Sequence, residues 1–158
     1  MALDSTPQDP EPELAPFRLN HLMAAWNARL EARLAAAGTT FAQWRVAMSL
    51  ARAGRPLAII ELVTWTLVPH STLSRQVAAM QRQGLVNRVR HQVDGRAVAI
   101  TLTPLGRARY REWLALAKDE AEVVLGRLNA RERKVFDETL DIMEEVMREV
   151  RLGIVAQT

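Results

Sequence analysis

"STLSRQVAAMQRQGLVNRVRHQVDGRAVAITLTPLGRARYR", residues 71–111, is the stretch on which the fold turns. It opens with helical spacing: Leu73, Val77, Met80 and Gly84 recur at intervals of four, three and four, which sets them on one inward face. The opposite face presents Ser71, Thr72, Arg75, Gln76, Ala79 and Arg82, rich in hydroxyl, amide and guanidinium donors and without an acid. Exposed helix faces ordinarily mix both charge signs, so a face of this kind points to an anionic partner. After Gly84 the period falls to two. Val98, Ile100 and Leu102 alternate with Ala97, Ala99 and Thr101, and on the preceding limb Arg88 and Arg90 flank Val89. Asp94 and Gly95 between the limbs give a hairpin turn signal, because Gly95 takes positive φ without a steric penalty. The spacing predicts a cationic helix followed by a two-stranded hairpin with Arg96 near its tip. Asp94 is placed to hold that guanidinium by a charge-assisted bond. Helical spacing restarts at "TPLGR", with Thr103 as N-cap and Pro104 in the first turn, where its missing N–H is tolerated. Gly106 stands where a full capping box would have Glu.

The same stretch holds eight arginines against one acid, a net charge of +7, whereas residues 1–70 sum to zero and residues 112–158 to −4. A field of this shape favours an anionic partner at the middle of the chain.

Towards the N-terminus, four of the seven prolines fall within residues 1–16, where fixed φ values and missing donors predict a mobile arm. From Phe17 to Ala37, Leu19, Leu22, Met23, Trp26, Leu30 and Leu34 form one helical stripe that Gly38 stops. "TTFAQWRVAMSLARAG" repeats the pattern, with Thr40 as N-cap, Phe41, Trp44, Met48 and Ala51 on one face, and Gly54 at the end. The apolar run "LAIIELVTWTLV" after Pro56 fits a buried helix of two to three turns, and by periodicity alone a strand fits it equally. Towards the C-terminus, Ala108 to Val155 reads as helix with a break at Gly126 to Asn129, and Phe136, Leu140, Met143, Met147, Val150 and Ile154 form a second long stripe.

Composition narrows the function. A chain of 158 residues with 49% apolar and 25% charged positions suits one globular domain with an added assembly element. The absence of cysteine excludes disulfides, thiolate zinc and iron–sulfur clusters. The first residues lack the basic and apolar regions of a leader, and no apolar run approaches the roughly 18 residues of a membrane span, so a soluble, cytoplasmic protein without membrane contact is expected. His21, His70 and His91 lack metal-ligand spacing, and His70 beside Ser71 points elsewhere on a helix with no acid within one turn. No cofactor, metal site or catalytic constellation is expected, and the protein is read as not an enzyme.

A helix that presents small hydroxyls and forked guanidinia is shaped for the major groove of DNA, and an arginine at a narrow hairpin tip for the minor groove. The residues "STLSRQVAAMQRQGLV", "DGRAVAITLT" and "TPLGR" together resemble the winged helix-turn-helix of the MarR family of bacterial transcription regulators. The resemblance implies a mainly α fold with a small β-hairpin wing. It implies DNA contacts from Ser71, Thr72, Ser74, Arg75 and Gln76 at the start of the recognition helix, with Asp94 and Arg96 at the wing tip and Arg88 and Arg90 on its limb. The chain departs from the family at Pro69 and His70, where the family more often has a Ser or Thr cap followed by Pro.

The expected organisation is an arm over 1–16, a dimerisation helix over 17–37, the winged domain over 38–103 and C-terminal dimerisation helices over 104–155. The homodimer also follows from the two terminal stripes, which a winged unit of about ninety residues cannot cover alone. Two-fold pairing predicts a pseudo-palindromic operator with half-sites about one turn apart on double-stranded DNA. The family's ligand responsiveness implies release by a small, aromatic effector, with His21, Trp26 and Trp44 as candidate pocket residues; a tryptophan on an apolar stripe is otherwise core. The rival reading is a nonspecific, architectural DNA-binding protein, which shares the basic stretch but not the sequence preference.

Overall fold

A computed structural model of the chain describes residues 14–66, 68–90 and 98–151. Among them are six helices and three short strands: α1 (Ala15–Ala36), α2 (Phe41–Ala53), β1 (Leu57–Ala58), α3 (Ile59–Thr66), α4 (His70–Arg82), β2 (Val86–Arg90), β3 (Val98–Leu102), α5 (Pro104–Leu125) and α6 (Ala130–Arg151). The chain divides into two compact units, Met1–Trp113 and Leu114–Thr158, with the division inside α5.

The first unit is built from local signals that mostly act as the sequence implies. α1 starts at Ala15, two residues ahead of the expected start, because Pro16 lies in the first turn, where no N–H is needed. The expected arm therefore ends sooner, and residues 1–13 lie outside the described residues. Of the α1 stripe only Leu30 and Leu34 are buried; Leu19, Leu22 and Met23 remain exposed within the single chain. Thr40 caps α2 in a full capping box, its hydroxyl accepting from the Gln43 N–H while the Gln43 side chain accepts from the Thr40 N–H. Trp44, Val46, Ala47 and Leu50 of α2 meet the core that also holds Leu57, Leu62, Leu73, Val77, Met80, Val86 and Ile100.

The run after Pro56 holds both of the elements that its periodicity left open. It begins as a strand, β1, and becomes the helix α3 at Ile59. β1 pairs antiparallel with β3, Leu57 opposite Ile100 and Ala58 opposite Ala99, so the wing's base is a three-stranded sheet in the order β1-β3-β2 rather than a two-stranded hairpin. Pairing satisfies the backbone groups on the second edge of β3, which a hairpin alone leaves open. Glu61 then closes the start of α3: its carboxylate accepts from the Ala58 N–H at 2.8 Å and pairs with Arg55 at 2.6 Å.

Gly84 also differs from its expected place on the inward face of α4. The helix ends at Arg82, and Gly84 takes φ +71° beyond it. Gly84 N–H donates to Gln81 and Leu85 N–H to Met80, a Schellman closure that needs the left-handed conformation glycine tolerates. In β3, Ile100 and Leu102 are buried as the alternation implies, but Val98 is exposed and Ala99 is buried from the other face of this central strand.

α5 begins as part of the first unit: Tyr110 stacks on Trp44 with ring centroids 5.6 Å apart. In the second unit, Asn129 caps α6 by accepting from the Arg131 and Glu132 N–H groups, and Glu132 accepts from the Asn129 N–H, another full capping box. Leu140, Met143, Met147 and Val150 of the C-terminal stripe are exposed within the chain, and Ile154 lies outside the described residues.

Candidate nucleic-acid interface

α4 buries Leu73, Val77 and Met80 and turns its other side outwards. Ser71, Arg75 and Arg82 are exposed, and Thr72, Ser74, Gln76 and Ala79 are half-buried beside them. The two faces separate because the apolar residues recur at helical spacing while the polar ones fill the gaps. Pro69 occupies the N-cap position with no side-chain cap, so the first N–H groups of α4 stay open next to Ser71 and Thr72. No acidic residue occurs in α4, and none of Ser71, Thr72, Ser74, Arg75 and Gln76 has its side chain engaged in a hydrogen bond or ion pair among the described residues. The result is a row of unspent donors on one convex surface, with no carboxylate to neutralise it.

β2 adds two more cations. Its register places Arg88 opposite Ile100 and Arg90 opposite Val98, on the sheet face that carries the core. Both guanidinia are nevertheless exposed, because β2 is an edge strand and the core ends where Val98 emerges. Like Arg75, they enter no ion pair among the described residues. The structure thus brings Ser71, Thr72, Ser74, Arg75, Gln76, Arg88 and Arg90 onto the outer surface of one unit. Asp94 and Arg96, expected at the hairpin tip, lie outside the described residues.

The base of this surface is clamped to α5 by contacts too close for any side chain. The Thr103 hydroxyl donates to the Gly84 carbonyl at 2.6 Å and accepts from the Gly106 N–H at 2.9 Å, which joins the end of α4, the start of β2 and the start of α5. A Cβ on Gly106 would lie 1.9 Å from the Leu85 carbonyl oxygen. The Glu of a full capping box is thereby excluded: backbone occupies its space.

His21 is exposed and packs on Phe17, Trp26 is half-buried, and Trp44 is core, stacked on Tyr110. A cavity of about 330 Å³ opens among the end of α2, β3 and the start of α5. Leu50, Pro56, Leu102 and Tyr110 give it apolar walls, and Arg107 and Arg111 give it cations. Arg107 donates to the Leu102 carbonyl at 2.7 Å, which holds it against β3. Sequence reading passed over this cavity because Arg107 and Arg111 carry no motif; their i, i+4 spacing on one helix face was the available signal.

Residues 37–97 match the sequence model of the MarR family. A MarR family transcriptional regulator from Silicibacter pomeroyi is similar over 91% of each chain, with 29% identity and a TM-score of 0.72. The wild-type apo MarR of E. coli matches in fold at 22% identity and TM-score 0.73, over 84% of this chain and 98% of its own. So does BpsR of Bordetella bronchiseptica, whose DNA binding is regulated by 6-hydroxynicotinic acid, at 23% identity and TM-score 0.71, over 87% and 97%. No curated protein matches the sequence.

Proposed function

We propose that the chain is a winged helix-turn-helix transcriptional regulator of the MarR family, which its family-model match and its solved-structure likenesses support, and that it works as a homodimeric, sequence-specific repressor released from its operator by a small molecule. The observation that carries the DNA reading is the acid-free donor face of α4, exposed and unspent from Ser71 to Arg82. Such a face enters a major groove, where guanidinium and amide groups bond base edges and hydroxyls bond phosphates. Arg88 and Arg90 reach the flanking backbone, and Asp94 and Arg96 belong to the part of the wing assigned to the minor groove.

The homodimer is supported by the apolar residues that the single chain leaves open: Phe17, Leu22 and Met23 on α1, and Leu140, Met143 and Met147 on α6. Stripes of this size on a lone chain invite association, and a two-fold axis closes it. The operator is then pseudo-palindromic, and the protein works in the compartment that holds it. The effector enters the cavity beside Tyr110, with Trp44 behind that ring rather than at the ligand. A molecule that prefers one arrangement of the recognition helices shifts the dimer away from the DNA-competent one.

Salt titration of binding tests the reading. With three arginines per subunit on phosphates, a dimer loses about 10³ in affinity between 50 and 200 mM salt. A flat response overturns the DNA reading. Equal displacement by random DNA favours the architectural alternative.

A further inference from the structure

We propose that Gln43 is a positioning residue for DNA recognition: its buried amide pins the C-terminal end of α4 to the N-terminus of α2. The proposal rests on the DNA reading above. Gln43 is 5% exposed, as is Thr39 beside it. Its Oε1 accepts from the Thr39 hydroxyl at 2.9 Å and from the Thr40 N–H at 3.4 Å, while its Nε2 donates to Gln83 Oε1 at 2.9 Å. Gln83 is the C-cap residue of α4. The Thr39 N–H donates to the Leu34 carbonyl, in the last turn of α1. A continuous hydrogen-bonded path therefore runs from the end of α1, through one side chain of α2, to the end of the recognition helix.

Helix capping does not account for this arrangement. A capping box is completed equally well by Glu or Gln, because only an acceptor is needed. The Nε2 donor goes instead to a residue 40 positions away. An apolar side chain fills a buried position with no polar cost, whereas a buried amide is tolerated only with partners in fixed directions. No buried side-chain nitrogen or oxygen among the described residues lacks a partner, so the network is closed.

α4 needs a directional contact. Its inward residues Leu73, Val77 and Met80 are apolar, and such contacts resist separation but have no preferred direction. Its N-terminus has no side-chain cap, and none of its own side chains makes a hydrogen bond among the described residues. A helix of this length is about 20 Å long, so a tilt of about 5° at the pinned end moves the far end by roughly 1.7 Å, more than a hydrogen bond to a base edge tolerates. Ser71, Thr72 and Arg75 stand at that far end. Contacts of flexible arginines to phosphates survive such a shift, so the pin governs sequence preference more than total affinity.

The experiment uses the full chain, a duplex that it selects from a randomised pool, and a random duplex of equal length. Gln83→Ala removes the acceptor from an exposed side chain. It is expected to lower the selected-to-random affinity ratio by about five-fold or more, with random-duplex affinity held within about two-fold. Gln43→Glu and Gln83→Glu each leave a donor facing an acceptor, since the remaining amide turns to suit, and are expected to hold the ratio within about two-fold. The double variant sets two carboxylates together, and its ratio is expected to fall by more than the product of the single changes. An unchanged ratio in Gln83→Ala, equal losses on both duplexes, or a double variant equal to that product overturns the proposal. A wild-type protein that selects no duplex overturns the DNA reading itself and the proposal with it, so the two failures are told apart.

Discussion

Arg75 and Arg88 are both exposed arginines without ion pairs, yet their positions give them different work. Arg75 sits one turn into α4, between Ser71 and Ala79 on the donor face, where on the proposed DNA reading its fork of N–H groups would meet base edges. Arg75→Ala is expected to cost about 1–3 kcal/mol on the selected site and to relax one base position. Arg88→Ala is expected to weaken binding to all sequences alike and, being present in both subunits of the proposed dimer, to lower the salt slope by about two. Parallel gel-shift titrations on selected and random duplexes separate the two. Gly106 acts through space rather than charge. Because its Cβ would stand 1.9 Å from the Leu85 carbonyl, Gly106→Ala must push α5 away from β2 or shift the Thr103 cap. We expect a loss of about 1–3 kcal/mol in denaturant unfolding, and an unchanged midpoint would show that the turn moves freely. The glycine is conspicuous in the sequence as a missing Glu, but its reason lies in a carbonyl far from it in the chain.

The elements were largely legible in advance. Thr40, Gly54, Thr103 with Pro104, and the break at Gly126 to Asn129 are local signals, and each element they bound begins or ends within a few residues of its expected place. The run that holds β1 was left open between helix and strand, because two residues are too few to show a period of their own; Leu57 and Ala58 are a strand because β3 offers an edge. The turn between α5 and α6 supplies a test by pH. Arg133 donates to both carboxylate oxygens of Glu122, at 2.9 and 2.5 Å, and this hydrogen bonding holds the Glu122 carboxyl below its ordinary range. A carboxyl depressed by folding contributes stability above its unfolded value, and the contribution is lost as pH falls through the folded one. Carbon-detected NMR titration is expected to show Glu122 protonating at lower pH than an ordinary glutamate. Arg133→Gln is expected to return it to the usual range, and identical titrations in the two proteins would refute the clamp.

At the scale of the molecule, the decisive feature is the apolar surface a single chain cannot cover. Met147 is 62% exposed and Met143 44%, on a helix whose other faces are acidic and basic. On the proposed dimer, Met147→Glu is expected to shift the protein from dimer to monomer in sedimentation velocity and to abolish high-affinity operator binding, since a monomer carries only one recognition helix. A variant that stays dimeric moves the interface elsewhere. The two stripes were visible as periodicity, and the proposed dimer is read from them. The proposed effector cavity carries no such pattern: it is lined by Leu50, Pro56, Leu102, Arg107, Tyr110 and Arg111, which come from separate stretches of the chain.

Periodicity, caps and charge are properties of neighbours along the chain, so the helices, the wing and the donor face of α4 could be read in order from the residues alone. The third strand, the approach of Gly106 to Leu85, the extension of the first unit to Trp113 and the Gln43 to Gln83 bond all join distant segments. Packing decided these, because a buried amide or an open strand edge must find some partner, and no local pattern names which one it will be.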